Sequence, residues 1–570
     1  MEKQTIIEMR NITKRFGSKI VANRNVSLDV KRGEILSVLG ENGCGKTTLM
    51  NMLAGIYYPD EGKIIIGGEE ATIRSPKDAF RYNIGMIHQH FKLIDVFTAA
   101  ENIVLGTGEG EKYDLKETKT RISEMSEKYG FHIDLDKKIH EMSVSEKQTV
   151  EIIKVLYRGA DVLILDEPTA VLTPQEIRRL FDVLRAMRKD GKSVLIITHK
   201  LNEVMEISDR VAVLRKGEHV ATVNTADTNE KELADMMVGQ KVSLNIDRPL
   251  PENPELRLEV SGLTMMGTEG NLVLDNINFE AYSGEILGIA GIAGSGQREL
   301  LESIAGLHHL TDGTVTYYNP KKDKPITFFH KSFARVMELA REGMLRYADG
   351  MDFDGKDENG KPLSKKTIKA LVEAGEIFFK EDEVINLREK TPLQIKELGV
   401  RFSFVPEDRL GMGLVGNMDI IDNMMLRSYR RGKSVFVDRK TPEDLANEIV
   451  DSLQVVTPNT HTAVRKLSGG NVQKVLVGRE IAAGPKVLMA AYPVRGLDIN
   501  SSYLIYNLLT EQKKNGVAVI FVGEDLDVLL ALCDRIMVVA GGKITGVVDA
   551  RTAEKDEIGL MMTKTNAALQ

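Results

Sequence analysis

The run Gly40-Glu41-Asn42-Gly43-Cys44-Gly45-Lys46-Thr47-Thr48 has the spacing G-x-x-x-x-G-K-[ST], and its residue types suit one chemistry, the holding of phosphate groups. The glycines let backbone N–H groups turn inward around phosphate oxygens. Lys46 brings positive charge to β- and γ-phosphates, and Thr47 offers its hydroxyl to Mg²⁺. Cys44 lies inside the loop either as a small residue tolerated among glycines or as a redox switch, the first being the simpler reading. Farther along, VLILDEP puts Asp166 and Glu167 at the end of an apolar run. Two carboxylates there can divide the work, Asp166 holding the Mg²⁺ shell and Glu167 orienting or deprotonating an attacking water. IITHK ends another apolar run and presents His199 as a candidate contact for the γ-phosphate. A lone histidine is ordinarily structural, so this role rests on the combination.

These residues need a scaffold that brings distant loops to one edge. The phosphate-type turn leads into a helix-like segment, Lys46 to Ile56, and the later β-branched runs VLILD and SVLIIT are bounded by polar or Gly-containing turns. Strand, loop, helix and later buried strands predict an α/β core with a largely parallel sheet. The pattern occurs twice. Gly33, Gly45, Ala54 and Gly62 pair with Gly284, Gly296, Ala305 and Gly313 at a constant separation of 251, whereas Ser143 pairs with Ser468 and Val162 with Val487 at 325. The second copy therefore holds a net 74 extra residues, the difference between 325 and 251. Most lie between Gly313 and Gly399, where 331–347 and 365–380 have helix-like apolar spacing around an acidic turn. That turn, DFDGKDENG, lacks a calcium loop's Gly at the sixth position and Glu at the twelfth, where Asp357 and Leu363 stand, and is read as solvated.

Length and composition narrow the class. The 570 residues would allow three or four domains at roughly 150 residues each, but the duplication lowers the count to two. Hydrophobic residues make 42% and charged residues 28%, which supports packed cores. A net charge of -7, from 76 Lys+Arg and 83 Asp+Glu, gives no general attraction for nucleic acid or an anionic membrane. No apolar run reaches the roughly 18 to 20 residues of a membrane span, and the start, MEKQTIIEMRNITKRF, lacks a signal peptide's apolar core, so a cytosolic chain without membrane insertion is expected. Two cysteines, Cys44 and Cys533, exclude a disulfide framework or a four-thiolate metal site.

The order GENGCGKTT, MIHQHF, MSVSEKQ, LILDEPTA and IITHK resembles the nucleotide-binding domain of ABC transporters, and LSGGN at 467–471 resembles that family's phosphate-contacting motif. The resemblance covers nearly the whole chain apart from the added segment. It implies two tandem ABC-type P-loop nucleotide-binding domains, each with a RecA-like core, a β subdomain and a helical subdomain. The first would span 1–243 and the second 257–570, joined by a linker at 244–256, with a charged helical insertion at about 320–391. ATP and Mg²⁺ are the implied ligands. Lys46, Gln89, Glu167 and His199 take catalytic roles, and Thr47, Gln89 and Asp166 the metal. Phe16, Gly40 to Thr48, and Ser468, Gly469, Gly470 and Asn471 take the nucleotide. Phe16 would stack on adenine, although its residue type alone is equally that of a core position.

Applied to the second copy, the two separations place Gln297 opposite Lys46, Arg298 opposite Thr47 and Gly267 opposite Phe16. Ala491 falls opposite Asp166, Tyr492 opposite Glu167 and Glu524 opposite His199. The five-residue motif behaves in the opposite way: Leu467-Ser468-Gly469-Gly470-Asn471 is intact, while the first copy has Met142-Ser143-Val144-Ser145-Glu146. Domains of this family close head to tail, so the resemblance implies that the good and the damaged parts sort into one competent composite ATP site and one degenerate site.

Closer still is the resemblance to fused ATPase subunits of simple-sugar and nucleoside importers, carried by GIAGSGQ, by Val405-Pro406-Glu407-Asp408-Arg409 and by AAYPVRGLD, and nearest the nucleoside branch. MSVSEKQ departs from that branch's usual first-half motif. The implied function is an ATP-hydrolysing motor for uptake of a nucleoside or simple sugar. Its partners would be two membrane permease subunits and an extracellular or periplasmic solute-binding protein, with this chain peripheral on the cytoplasmic face and no nucleic acid bound. The alternative is a soluble tandem ABC ATPase, translation-factor-like or regulatory, acting on a non-membrane partner. Residues at roughly 91–104 and 409–424 are either permease docking surface or core.

Overall fold

A computed structural model of the chain describes residues 4–17, 20–89, 91–106, 115–241, 244–267, 270–320, 326, 332–357, 360–380, 384–429 and 437–563. It divides into two units, Met1–Leu244 with Leu497–Asn500, and Asn245–Gly496 with Ser501–Gln570.

In the first unit the strands Ile35–Leu39 and Val162–Asp166 are buried along their whole length, which is why both read as unbroken apolar runs. They belong to a six-stranded sheet ordered Glu218–Asn224, Arg210–Arg215, Ile35–Leu39, Ser193–Thr198, Val162–Asp166, Ile84–Ile87, parallel except at the Glu218–Asn224 edge. A four-stranded antiparallel sheet, ordered Ile20–Lys31, Thr5–Phe16, Glu61–Ile66, Glu69–Ala71, forms a second layer. The helix Lys46–Leu53 is gripped between them, its Leu49, Met50 and Leu53 packing with Ile7, Met9 and Leu28 of one sheet and Val38, Ile164 and Ile197 of the other. On the opposite face the parallel sheet packs against the helices Val144–Tyr157 and Pro174–Lys189 through Ile153, Leu156, Phe181 and Leu184. This is the expected RecA-like core with β and helical subdomains.

The second unit repeats the plan. Its six-stranded sheet is ordered Phe402–Val405, Val487–Ala491, Ala518–Val522, Ile286–Ala290, Arg535–Ala540, Lys543–Asp549, and its four-stranded sheet Leu272–Tyr282, Leu256–Met266, Asp312–Tyr318, Val384–Asn386. Buried Asp534 locks the parallel sheet's start, accepting from Ile286 N at 2.9 Å, Lys513 Nζ at 2.8 Å and Arg551 Nη2 at 3.2 Å. Asp534→Ala removes the counter-ion of the nearly inaccessible Lys513 ammonium, leaving it on the Pro249 carbonyl. The variant is expected to lose about 3 kcal/mol of stability, read as a lowered urea midpoint for the second unit.

The added segment lies where the first unit has only the Gly67-Gly68 turn between Glu61–Ile66 and Glu69–Ala71. The separation of equivalent positions rises from 251 at Gly62/Gly313 to 316 at the helix N-caps Ser75/Thr391, so this turn takes 65 extra residues. Because Val384–Asn386 pairs with Asp312–Tyr318, residues 384–391 continue the cassette, and the insertion ends before Val384 rather than near 391. Within it, 321–325, 327–331, 358–359 and 381–383 lie outside the described residues, and these include part of the turn weighed as a calcium loop. The helices expected over 331–347 and 365–380 are shorter, Phe333–Arg341 and Lys365–Glu373, each followed by a short strand, Leu345–Tyr347 and Ile377–Phe379. Gly343 and Gly375, at φ 72° and 74°, end the helices in the left-handed conformation that glycine favours. The two strands pair antiparallel about Arg346 and Phe378, and Val336, Leu339, Ile368 and Phe379 form a small core separate from the main one.

Candidate functional site

The loop that follows Ile35–Leu39 is shaped by two glycines. A Cβ on Gly40 would stand 2.4 Å from Leu214 O and 2.5 Å from Cys44 Sγ, and one on Gly45, whose φ is +96°, would stand 2.3 Å from Ala22 O. The chain can therefore wind tightly into the helix Lys46–Leu53, whose N-terminal N–H groups and dipole face an incoming anion. Lys46 is only 5% exposed, and its Nζ donates to Gly40 O at 2.6 Å and Glu41 O at 3.0 Å, holding the ammonium over the loop. Glu41, Asn42, Gly43 and Thr48 complete the rim, with Asn42 and Gly43 exposed. Burial pushes the Cys44 thiol up and keeps it protonated, which supports its reading as a packing residue and not as a redox switch. Buried Asn23 donates to Gly45 O at 3.2 Å and steadies the loop from the neighbouring strand; it belongs to no local motif.

Beside the loop, Thr47 Oγ1 donates to Asp166 Oδ1 at 3.2 Å. Burial is the main reason the Asp166 carboxyl lies above its usual range, Glu167 adding to it while Thr47 and Lys46 oppose. Glu167 is held at a φ of 47°, in the left-handed region that few non-glycine residues adopt, and its N–H is bonded to Ile197 O at 3.0 Å. That backbone aims its carboxylate at two partners. Gln89 Nε2 donates to Oε2 at 3.1 Å and His199 Nδ1 shares a hydrogen bond with Oε1 at 3.0 Å. The His199 hydrogen bond is the largest cause holding the Glu167 carboxyl below its usual range, against the opposing effect of burial. The structure thus brings Lys46, Thr47, Asp166, Glu167, Gln89 and His199 to one end of the parallel sheet. Phe16, at the end of its strand, is 37% exposed and meets Tyr57 edge-on at 5.2 Å between centroids, so it is not a core residue.

In the second unit the same backbone carries different chemistry. Gly294 and Gly296 keep the left-handed conformations of Gly43 and Gly45, and Gln297 Nε2 donates to Ile292 O at 3.1 Å, reproducing the Lys46 bond to Glu41 without the charge. Tyr492 keeps the φ of 48° and the N–H bond to Val522 at 3.0 Å. Burial, with Glu524 and Glu407, pushes its phenol up to about 12. Strand pairing identifies the counterpart of Gln89. Ile84 pairs with Val162 and Phe402 with Val487, which places Glu407 at the Gln89 position. Arg495 forms ion pairs with both Glu407 and Glu524 and lies 5.8 Å from the Tyr492 ring centroid.

The short motif also differs between units. Ser468 caps the helix Gly469–Ala482 through Asn471 N at 3.4 Å and accepts from Asn471 Nδ2 at 2.9 Å, leaving Gly469 exposed without a side chain. In the first unit Ser143 and Glu146 close a capping box, and Lys137 binds the Glu146 carboxylate at 2.8 Å, so side chains occupy that turn.

A family model described as ABC transporter matches residues 23–170. The nucleoside import ATP-binding protein NupA of Lactococcus lactis subsp. cremoris is 36% identical over 99% of each chain. The guanosine import ATP-binding protein NupO of Bacillus subtilis is 38% identical over 98% of this chain and 97% of its own. The ribose import ATP-binding protein RbsA 1 of Rubrobacter xylanophilus is 34% identical over 99% of each. With likeness of this extent joined to a complete phosphate loop and its carboxylates, the chain belongs to the ABC transporter family, among its ATP-binding ATPases.

Proposed function

We propose that the chain is the motor of an importer for a nucleoside or simple sugar, working through two separate permease subunits and a solute-binding protein from the cytoplasmic face of the membrane. Among the described residues no helix is long and apolar enough to cross a membrane, so a pore would come from other chains. The names of the full-length relatives, which include nucleoside, guanosine and ribose import, support the cargo class.

The observation that carries the reading is the contrast between Glu167, bonded by Gln89 and His199 beside Thr47 and Asp166, and the second unit's Tyr492, Glu524, Glu407 and Ala491. One ATP would lie on the first phosphate loop, closed by Ser468, Gly469 and Gly470; the other loop would serve a degenerate site. Phe16 takes the adenine face. Thr47 and Asp166 offer two hard oxygen donors at one place, which fits Mg²⁺, an ion that keeps phosphate and water among its ligands. Thr47, Asp166 and Gln89 would hold it, and when bound Mg²⁺ neutralises charge on the β- and γ-phosphates. Glu167 orients a water for attack on the γ-phosphorus and accepts its proton, the products being ADP and inorganic phosphate. His199 keeps that carboxylate ionised and aimed. Lys46 and the loop N–H groups hold the phosphate oxygens, and closure of the LSGGN turn excludes bulk water.

The test is reconstitution with a candidate pair of permease subunits and a solute-binding protein. ATP hydrolysis stimulated by a loaded solute-binding protein, together with uptake of a labelled nucleoside or pentose into vesicles, is the expected result. Recovery of the chain with a soluble partner, and no permease bound, would overturn the transport reading.

A further inference from the structure

The turn after Glu407 is longer than its counterpart after Gln89. In both units a buried asparagine marks where the counterparts come back together: Asn102 receives Ile94 N at 2.8 Å and donates to Thr98 O, and Asn423 receives Val415 N at 2.8 Å and donates to Asp419 O. Gln89 and Glu407 are 318 apart, Ile94 and Val415 321 apart, so the second unit has three more residues here. They are accommodated in the π-type turn Arg409–Gly413, which Asp408 caps through Gly411 N at 2.8 Å.

This turn is bonded to the helix Gly469–Ala482 at both ends. Arg479 Nη2 donates to Gly413 O at 2.7 Å, and Arg409 Nη1 donates to Gly469 O at 3.4 Å. The other Arg409 nitrogen, Nη2, donates to Arg495 O, in the loop after Val487–Ala491. The first unit ties the corresponding helix and loop differently, through Gln148 Nε2 to Pro168 O at 2.9 Å. The equivalent Gln473 is fully buried, and neither of its amide atoms has a hydrogen-bond partner. The link has moved from a glutamine inside the helix to an arginine outside it.

We propose that Arg409 is a positioning residue for ATP turnover: its guanidinium, bridging Arg495 O and Gly469 O, fixes where the LSGGN turn stands when it closes on ATP. The proposal rests on the composite site described above. A planar guanidinium holds two carbonyls at divergent N–H groups of one rigid fork, whereas a lysine ammonium sits on a flexible stem with a single nitrogen, and Gly469 leaves room for the fork, since a Cβ there would stand 3.2 Å from Arg409 Nη1. The site most affected would be the one that needs Ser468 and Gly469, not the phosphate loop of Arg409's own unit.

The experiment measures steady-state hydrolysis, fluorescent-ATP binding and thermal melting of the full-length chain carrying Arg409→Ala, Arg409→Lys, Ser468→Ala or Arg409→Ala with Ser468→Ala. Arg409→Ala should lower kcat about tenfold, the scale of a small misplacement, with KM and nucleotide affinity within about twofold. Arg409→Lys should fall between, and in the Ser468→Ala background Arg409→Ala should cost less than about a further twofold. Parental kcat in Arg409→Ala, or the full tenfold loss repeated in that background, overturns the proposal. If Arg409→Ala does not fold, Arg409→Lys decides: reduced kcat at unchanged melting supports the bridge and parental kcat refutes it. Parental turnover in Ser468→Ala would instead remove the composite site on which the proposal depends.

Discussion

Glu167→Gln is expected to lower ATP hydrolysis at least about a hundredfold while leaving ATP affinity within about twofold. Glutamine matches the shape of the carboxylate and can still meet Gln89 and His199, so the left-handed backbone and its neighbours have no reason to move. What disappears, in the proposed mechanism, is the acceptor for the water's proton. Lys46, Thr47 and Asp166, which serve the phosphates and metal in the proposed site, are untouched, so binding and turnover should separate. Phosphate release and fluorescent-ATP titration on the same preparation check this. Turnover within about tenfold of the parent would take the base away from Glu167.

Ser468→Arg should also reduce turnover by about a hundredfold, because the proposed composite site sets Ser468 with the phosphate loop of the other half of the sequence. The substitution removes a helix cap worth about 1 kcal/mol, too little to unfold a unit with its own large core. Its effect on hydrolysis comes from placing a long cation where the proposed site needs a small hydroxyl and two bare glycines. Ser143→Arg in the first unit, where Val144, Ser145 and a Glu146 carboxylate bound to Lys137 already occupy the turn, should leave turnover within about twofold. Hydrolysis rates of the two arginine variants, with melting temperatures as a folding check, make the comparison. Equal losses would remove the asymmetry between the turns.

Much of the site could be read from the sequence because its parts are local. The phosphate loop needs glycine at fixed spacings, and the carboxylates and histidine end fully buried strands that have to be apolar. The RecA-like core follows from the same strands. Other features depend on tertiary pairing. Asn23 steadies the loop from a strand 22 residues away and carries no motif. Separations of 251 and 325 leave no place for the 318 that aligns Glu407 with Gln89, so the Arg495 cluster emerges only from strand register. In the insertion, apolar spacing continues past Gly343 and Gly375 because each short strand buries residues into the same small core as the helix before it. Periodicity therefore predicts helices that run too far.

In the proposed asymmetric motor, one site turns over ATP and the other does not. Its most direct test is the hydrolysis rate of Lys46→Ala beside that of Gln297→Ala, two changes at equivalent positions of the two phosphate loops. Lys46→Ala should fall to about a hundredth of the parent or less, because it removes charge from the loop proposed to be competent; Gln297→Ala should stay within about twofold, because its unit has Gln297, Ala491 and Tyr492 where the proposed site uses Lys46, Asp166 and Glu167. Comparable losses in both variants would contradict this asymmetry.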